Sequence, residues 1–430
     1  KEYSNDALPT ANFTISMNGK LIPPSGGTGP QPTWGASGNA KAPFYIKSNQ
    51  DGGAKEIVVK AGTSVTYTAY EGTSSKSSNW TVNNQTKNNE SSIIFSRSWW
   101  DVPGWFSASM GTPDPGIYNI TASPTDNNAK SDSGKMTVVG VDKIDVKIRN
   151  ENYKTSDTVT YVAVDDSLSV KAFPLPNAIA WPDGTPEWST SGDEWFSSRV
   201  YGVGEEKSVD TSTESSGFYI IATCGTSEKR IEVKIYQCTL VVYVQAPIGG
   251  PVGITGVFDK TITVGHAFWE LKVSNFAVNY LKNNELSQYS DFLNNKHGFY
   301  PATGFGDFME NQTGPGILGT DNSHSYDKSK DYDISYNSLV AGLSATKSLS
   351  TSPGTYTLGT RIIVNKISSG EKLVDFSSTN DRNCATVCRN IASQAGVSLP
   401  NAFISNWSTS SGDLELNYSG NCPYVLKNNL

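Results

Sequence analysis

The sequence predicts a multidomain chain, two all-β sandwiches followed by an α+β domain, and three observations predict it. Strand patterning recurs: an alternating apolar run, a tryptophan and a Gly-aromatic strand reappear about one hundred residues further on. Composition points the same way, because Ser, Thr, Asn and Gly abound while only 17% of residues are charged. Apolar residues at helical spacing enter only after residue 239, where the third domain begins its own pattern.

The elements follow in order. Residues 1–50 are rich in Pro, Gly and Ser, as in Pro23-Pro24-Ser25-Gly26-Gly27, and read as an extended arm with one strand near Phe13–Met17. Residues 51–141 form the first sandwich. Val65, Tyr67 and Ala69 share one face of a strand, Trp80 marks another, and Gly116 opens a third after the turn Pro113-Asp114-Pro115-Gly116. Residues 142–237 repeat the plan, with Ile144, Val146 and Ile148 alternating, then Leu168, Val170 and Ala172, then Trp188 and the strand from Gly217. Matched features lie 103, 108 and 101 residues apart (Val65 to Leu168, Trp80 to Trp188, Gly116 to Gly217). Short strands, this period and a mid-domain tryptophan are the pattern of an immunoglobulin-like sandwich, and both segments resemble bacterial surface Ig-like domains. Tyr118 and Tyr219 are candidates for the tyrosine corner of that fold or for ordinary core positions.

Residues 238–430 make the third domain. Thr239–Val244 is an apolar strand. Ser274–Lys282 predicts a helix with Phe276, Val278 and Leu281 inward, and Ser335–Ser348 a second with Leu339 and Leu343 one turn apart. Cys384, Val387, Cys388, Ile391, Ala392 and Ala395 form one apolar helix face, capped by Asp381 or Asn383 and stopped by Gly396.

Charge and hydropathy exclude some functions. With 34 Lys+Arg against 41 Asp+Glu the net charge is −7, which argues against a nucleic-acid partner. No run of 18 apolar residues predicts a membrane span. The chain opens on Lys1 without a basic and apolar leader, as expected where a secretion signal has been removed or the chain trimmed. The composition predicts an extracellular or cell-surface protein. Eight Asn-x-Ser/Thr sequons, at Asn12, Asn79, Asn84, Asn89, Asn119, Asn311, Asn406 and Asn417, are frequent by chance in such a composition. The five cysteines are an odd number; Cys224 and Cys238 flank paired strands and are candidates for a disulfide. Three histidines and no Cys-x-x-Cys leave too few ligands for a metal, and no phosphate-binding glycine loop precedes a helix, so no cofactor is expected.

Two stretches carry the candidate chemistry: Val264-Gly265-His266-Ala267-Phe268-Trp269 and Asn383-Cys384-Ala385-Thr386-Val387-Cys388. Cys384 falls in the first turn of a helix, where free backbone N–H groups and the helix dipole favour a thiolate. An imidazole at His266 can take the thiol proton and return it to a leaving group. A third polar group must orient that imidazole, and His297, on the following strand, is the candidate. Against this, Cys384 on an apolar face also fits a buried structural cysteine, Cys388 reads as structural, and His324 reads as a solvated loop residue.

The order Gly265-His266 on a strand, Gly298-Phe299-Tyr300-Pro301 on the next, Asn383-Cys384 at a helix start, then Ala395-Gly396-Val397-Ser398-Leu399-Pro400, resembles circularly permuted papain-like proteins. These include the NlpC-type cell-wall peptidases and the lecithin–retinol acyltransferase group. The resemblance covers roughly 239–415. It implies thiol hydrolase or acyltransferase chemistry on peptide, amide or ester bonds, with a peptide or cell-wall substrate, Cys384 as nucleophile, His266 as base and His297 as orienting group. The stretch between His266 and His297 is longer than the family pattern. An alternative is an extracellular structural subunit, of fibre or surface-layer type, whose arm adds a strand to a neighbouring copy, giving a homo-oligomer or filament with an idle papain-like domain. A third is glycan binding through Trp99, Trp100 and Trp105.

Overall fold

A computed structural model of the chain describes residues 16–17, 20–21, 42–96, 108–126, 130–156, 159–192, 199–247, 253–255, 261–263, 265–302 and 312–430. Most of the arm, the Trp99, Trp100 and Trp105 cluster, and the sequons at Asn12 and Asn311 therefore lie outside the described residues.

The first sandwich forms where the alternation predicts it. Val65, Tyr67 and Ala69 on strand Val65–Glu71 are fully buried against Trp80, Ile93, Phe95, Ile120 and Met136. One sheet holds Glu56–Lys60, Gly116–Pro124, Ser78–Val82 and Gln85–Glu90; the other holds Phe44–Ser48, Val65–Glu71 and Ser92–Phe95. Trp80 satisfies its indole by donating to the Glu90 carbonyl at 2.9 Å, so a large apolar side chain is buried without an orphaned N–H.

The second sandwich repeats this arrangement. Trp188 donates to the Gly204 carbonyl at 2.6 Å and packs with Val170, Phe218, Ile220 and Val233. Each sandwich also pairs an early strand in parallel with its last one: Glu56–Lys60 with the Lys135 to Val139 stretch, and Thr160–Ala163 with Val233 to Tyr236. Two β-sandwiches in tandem thus account for the described residues between Phe44 and Tyr236. Tyr118 donates to the Asp114 carbonyl four residues upstream at 2.9 Å, as a corner tyrosine does. Tyr219 instead stands half-exposed under Arg230.

A single strand, Asp132–Ile148, runs through both sandwiches. Its first half pairs with Gly116–Pro124 as far as Val138 and its second with Leu168–Leu175 from Gly140 on, with a register shift between Val141 and Lys143 inside the second pairing. The division at 141/142 therefore lies inside a continuous strand rather than in a linker. Beside it, Thr226 N–H donates to the Ala61 carbonyl at 3.0 Å, and Gly225 (φ 63°) sits where a Cβ would be 1.9 Å from that oxygen. Only glycine permits the contact.

The third domain is α+β. A six-stranded antiparallel sheet has the order Lys328–Asp333, Cys238–Gln245, His266–Val273, Lys296–Pro301, Thr313–Thr320, Thr355–Thr357. A four-stranded sheet has the order Lys372–Ser377, Arg361–Lys366, Leu414–Asn421, Phe403–Ser411. Helices Asn275–Asn283, Tyr336–Thr351 and Cys384–Gln394 appear where the periodicity places them, and their apolar faces share one core with Leu240, Val242, Trp269 and Leu271. Tyr236 and Ala163 of the second sandwich belong to the same core, and Tyr161 stacks on Tyr280 at 4.0 Å. Arg149 ties this junction, reaching Asp166 at 2.7 Å and Glu285 at 3.1 Å while lying over the Tyr336 ring. No helix of the described residues is long and apolar enough to cross a membrane.

The candidate disulfide between Cys224 and Cys238 is not formed, for both thiols are free. They belong to different cores: Cys224 packs in the second sandwich with its thiol on the Val139 carbonyl at 3.1 Å, and Cys238 packs in the third domain.

Candidate functional site

Cys384 opens the helix Cys384–Gln394, and the sequence before it explains why the helix starts there. Asn383 is fully buried in extended geometry, and its Oδ1 accepts from the Ala385 and Thr386 N–H groups at 3.0 and 3.1 Å. The cap leaves the Cys384 N–H unused. Asn383 is itself held, for its Nδ2 donates to the Leu358 carbonyl at 3.0 Å, the Asn421 carbonyl at 2.6 Å and Asp381 Oδ1 at 3.1 Å. Of the two capping candidates, Asn383 is the cap and Asp381 its anchor. Burial pushes the Asp381 carboxyl up to about 6, against the hydrogen bonds donated by Asn421. Gly396, at φ 76°, ends the helix as expected.

His266 stands at the head of strand His266–Val273, 7% exposed. Its Nε2 is 3.1 Å from Asp321 Oδ2, and the Cys384 thiol stands close enough to the ring to act on its charge. Burial pulls the imidazole pKa down, but the hydrogen bonds and charges of Asp321 and Cys384 outweigh it, and His266 is pushed up to about 9. Asp321 is 4% exposed and also accepts from the Tyr300 hydroxyl, whose ring stacks on His266 at 4.5 Å. Burial, and then Asp321, hold the Tyr300 hydroxyl protonated well above its ordinary range.

A glycine makes room for this cluster. A Cβ on Gly298 would lie 2.1 Å from Asp321 Oδ2 and 2.5 Å from His266 Nε2. The backbone of strand Lys296–Pro301 is thus the floor on which imidazole and carboxylate meet.

The structure brings Cys384 and His266 together and places His297 elsewhere. His297 pairs in register with Trp269, one residue out of phase with His266, so its ring points to the opposite side of the sheet. There it is 4% exposed, between Trp269 and Phe292. The carbonyls of Phe292 and Gly319 approach, but neither ring nitrogen has a well-formed hydrogen bond, and burial holds its pKa below the ordinary value. The position given to His297 beside the imidazole is occupied by Asp321, a residue that no local motif singles out. His324 lies in a loop and keeps part of its side chain in solvent, but it also belongs to this cluster: its ring is 5.0 Å from that of His266, and its Nδ1 is 3.9 Å from Asp321 Oδ1.

The Cys384 side chain is buried, 2% exposed, with its sulfur 3.9 Å from the Gly265 carbonyl. Cys388, one turn on, is sealed in the core against the Phe268 carbonyl, and burial holds it as a thiol. Among the described residues no three His, Cys, Asp or Glu side chains are grouped as a metal site.

No family model matches the chain, and no curated protein does. Solved structures with similar β-sandwiches include three N-terminal domains of the bacteriophage RB49 highly immunogenic outer capsid protein, at 11% identity and TM-score 0.25, covering 54% of this chain and 91% of that one. Fibronectin(III)-like modules of Clostridium thermocellum CbhA match at 13% identity and TM-score 0.18, covering 44% and 92%. Domains 4 and 5 of the S-layer protein SbsC match at 13% identity and TM-score 0.17, covering 44% and 96%. At such scores the likeness adds nothing to the strand pairing described above.

Proposed function

We propose that the third domain is a thiol hydrolase or acyltransferase acting on peptide, amide or ester bonds, carried outside the cell by two sandwich domains. One observation supports it above the others: the thiol at a capped helix start lies against an imidazole whose far nitrogen is held by a buried carboxylate. In the proposed reaction the Cys384 thiolate attacks the carbonyl carbon, and the proton it gave to His266 passes to the leaving amine or alcohol. A thioester remains. Water or an acceptor alcohol or amine then gives its proton to His266 and attacks the thioester, and the proton returns to the departing sulfur. The unused Cys384 N–H is the candidate donor to the oxyanion. Asp321 would hold the imidazole in one tautomer and stabilise its charged form, replacing His297 in that role.

The test is labelling with iodoacetamide at pH 7. Cys384 should react well ahead of a model thiol and of the other four cysteines, and the Cys384→Ala variant should lose that label. A Cys384 no faster than a model thiol in the folded chain sinks this reading.

A second reading has its own support. The buried sulfur, and the contacts that lock all three domains in series, suit an extracellular structural subunit with an idle papain-like domain. Sedimentation at high concentration tests it: assembly that disappears when residues 1–41 are deleted favours this reading, and a monomer unchanged by the deletion opposes it.

A further inference from the structure

A second histidine addresses the carboxylate that holds His266. His324 lies in the connection after strand Thr313–Thr320, three residues beyond Asp321. Its Nε2 is 2.8 Å from Gln245 Oε1. The Gln245 amide donates through Nε2 to Ser325 Oγ at 3.2 Å and turns Oε1, an acceptor, toward the ring. Neutral His324 must therefore carry its proton on Nε2, and its bare Nδ1 faces Asp321 Oδ1 at 3.9 Å. A second proton has one place to go, directly toward that carboxylate. Asp321 already serves His266 through Oδ2 and Tyr300 through Oδ1. Side-chain exposures are 9% for His266, 3% for Asp321 and 34% for His324, so His324 is the member of the group that exchanges protons with solvent.

We propose that His324 is a positioning residue: once protonated at Nδ1 it draws the Asp321 carboxylate away from His266 and so weakens the Cys384–His266 pair in acid. This rests on the reading of Cys384 as nucleophile. The titratable groups facing His324 are Asp321 on its own loop and His266 on the neighbouring strand, with Cys384 and Tyr300 beyond them. Gln245 and Phe268 complete its surroundings without charge, and the nearby Lys296 turns instead to Tyr243 and Tyr326. Burial and then the His266 charge lower the His324 pKa, against Asp321, so the change falls on the acid side of 6.5.

The experiment uses the full chain and follows the rate of Cys384 alkylation by iodoacetamide between pH 4.5 and 8, for the natural protein and for His324→Gln. Glutamine keeps a donor for Gln245 and takes no proton. The two profiles should coincide at pH 8, and the variant should react several-fold faster near pH 5. Profiles that superimpose throughout overturn the inference. Histidine NMR supplies a readout independent of alkylation. Asp321→Asn should lower the His324 midpoint, and His266→Gln, which removes a neighbouring positive charge, should raise it. A His324 midpoint indifferent to both overturns the inference even if the thiol proves reactive. An unreactive thiol with both midpoint shifts present leaves the carboxylate shared and refutes the hydrolase alone.

Discussion

Replacing Gly298 by alanine tests the site at its narrowest point. The added methyl carbon would stand 2.1 Å from Asp321 Oδ2, 2.5 Å from His266 Nε2 and 2.8 Å from His266 Cε1, where real contacts begin near 3.0 Å. The carboxylate must retreat by about the overlap, which stretches its 3.1 Å contact with His266 to roughly 4 Å and breaks it. A charge-assisted hydrogen bond of this kind contributes about 1.5–3 kcal/mol. That equals about one to two pH units in the midpoint of His266, which falls from about 9 toward 6.5. Crowding adds a further cost of about 1–3 kcal/mol to folding. The expected result is a lower His266 midpoint by NMR, alkylation of Cys384 slowed about tenfold or more at pH 7, and a chain that still folds by near-ultraviolet circular dichroism. A folded Gly298→Ala protein with the natural His266 midpoint would refute the claim that Asp321 holds this imidazole.

Other perturbations separate the roles of neighbouring groups. His297→Leu should leave the pH dependence of Cys384 alkylation unchanged, because the ring lies on the far side of the sheet. Its effect is on stability: a histidine buried neutral contributes stability present above 6.5 and lost as pH falls, so urea midpoints of the variant should decline less between pH 7 and 5 than those of the natural protein. His266, with its pKa raised, contributes in the opposite sense. That stability is complete below 6.5 and is lost as pH rises through about 9, and His266→Gln should flatten urea midpoints over this interval. Asn383→Ala removes a cap and leaves the Leu358 and Asn421 carbonyls to share the single Tyr418 hydroxyl; a loss of about 2–4 kcal/mol in urea unfolding is expected. A chain beginning at residue 238 forfeits Tyr236, Ala163 and the Tyr161–Tyr280 stack, so its third domain should melt at a lower temperature than in the full chain.

Periodicity carries information about faces, and that part of the molecule is legible. Val65, Tyr67 and Ala69 alternate because one face of their strand is buried, and the apolar series from Cys384 to Ala395 has helical spacing because one face of that helix is buried. The cap at Asn383 could be read for the same local reason. The Cys384–His266 contact spans 118 positions and owes its prediction to a family pattern rather than to any local rule. Asp321 gives no such signal, because it lies 55 residues from His266 in an irregular connection, where a lone aspartate carries no pattern. The pairing of Cys224 with Cys238 failed for a related reason: nearness along the chain does not say that two strands enter different cores.

His297 shows how sharply phase matters. Its strand is adjacent to that of His266, as the sequence suggests, but successive residues point to opposite faces. The pairing of Phe268 with Gly298 puts the glycine, not the histidine, on the His266 side. A glycine inside a strand gives up side-chain packing and backbone restriction, so it persists where something must come close. In Lys296-His297-Gly298-Phe299 the informative residue is therefore the one without a side chain. It marks the face on which a buried carboxylate and an imidazole meet, and it directs the search for the orienting group across the sheet to Asp321.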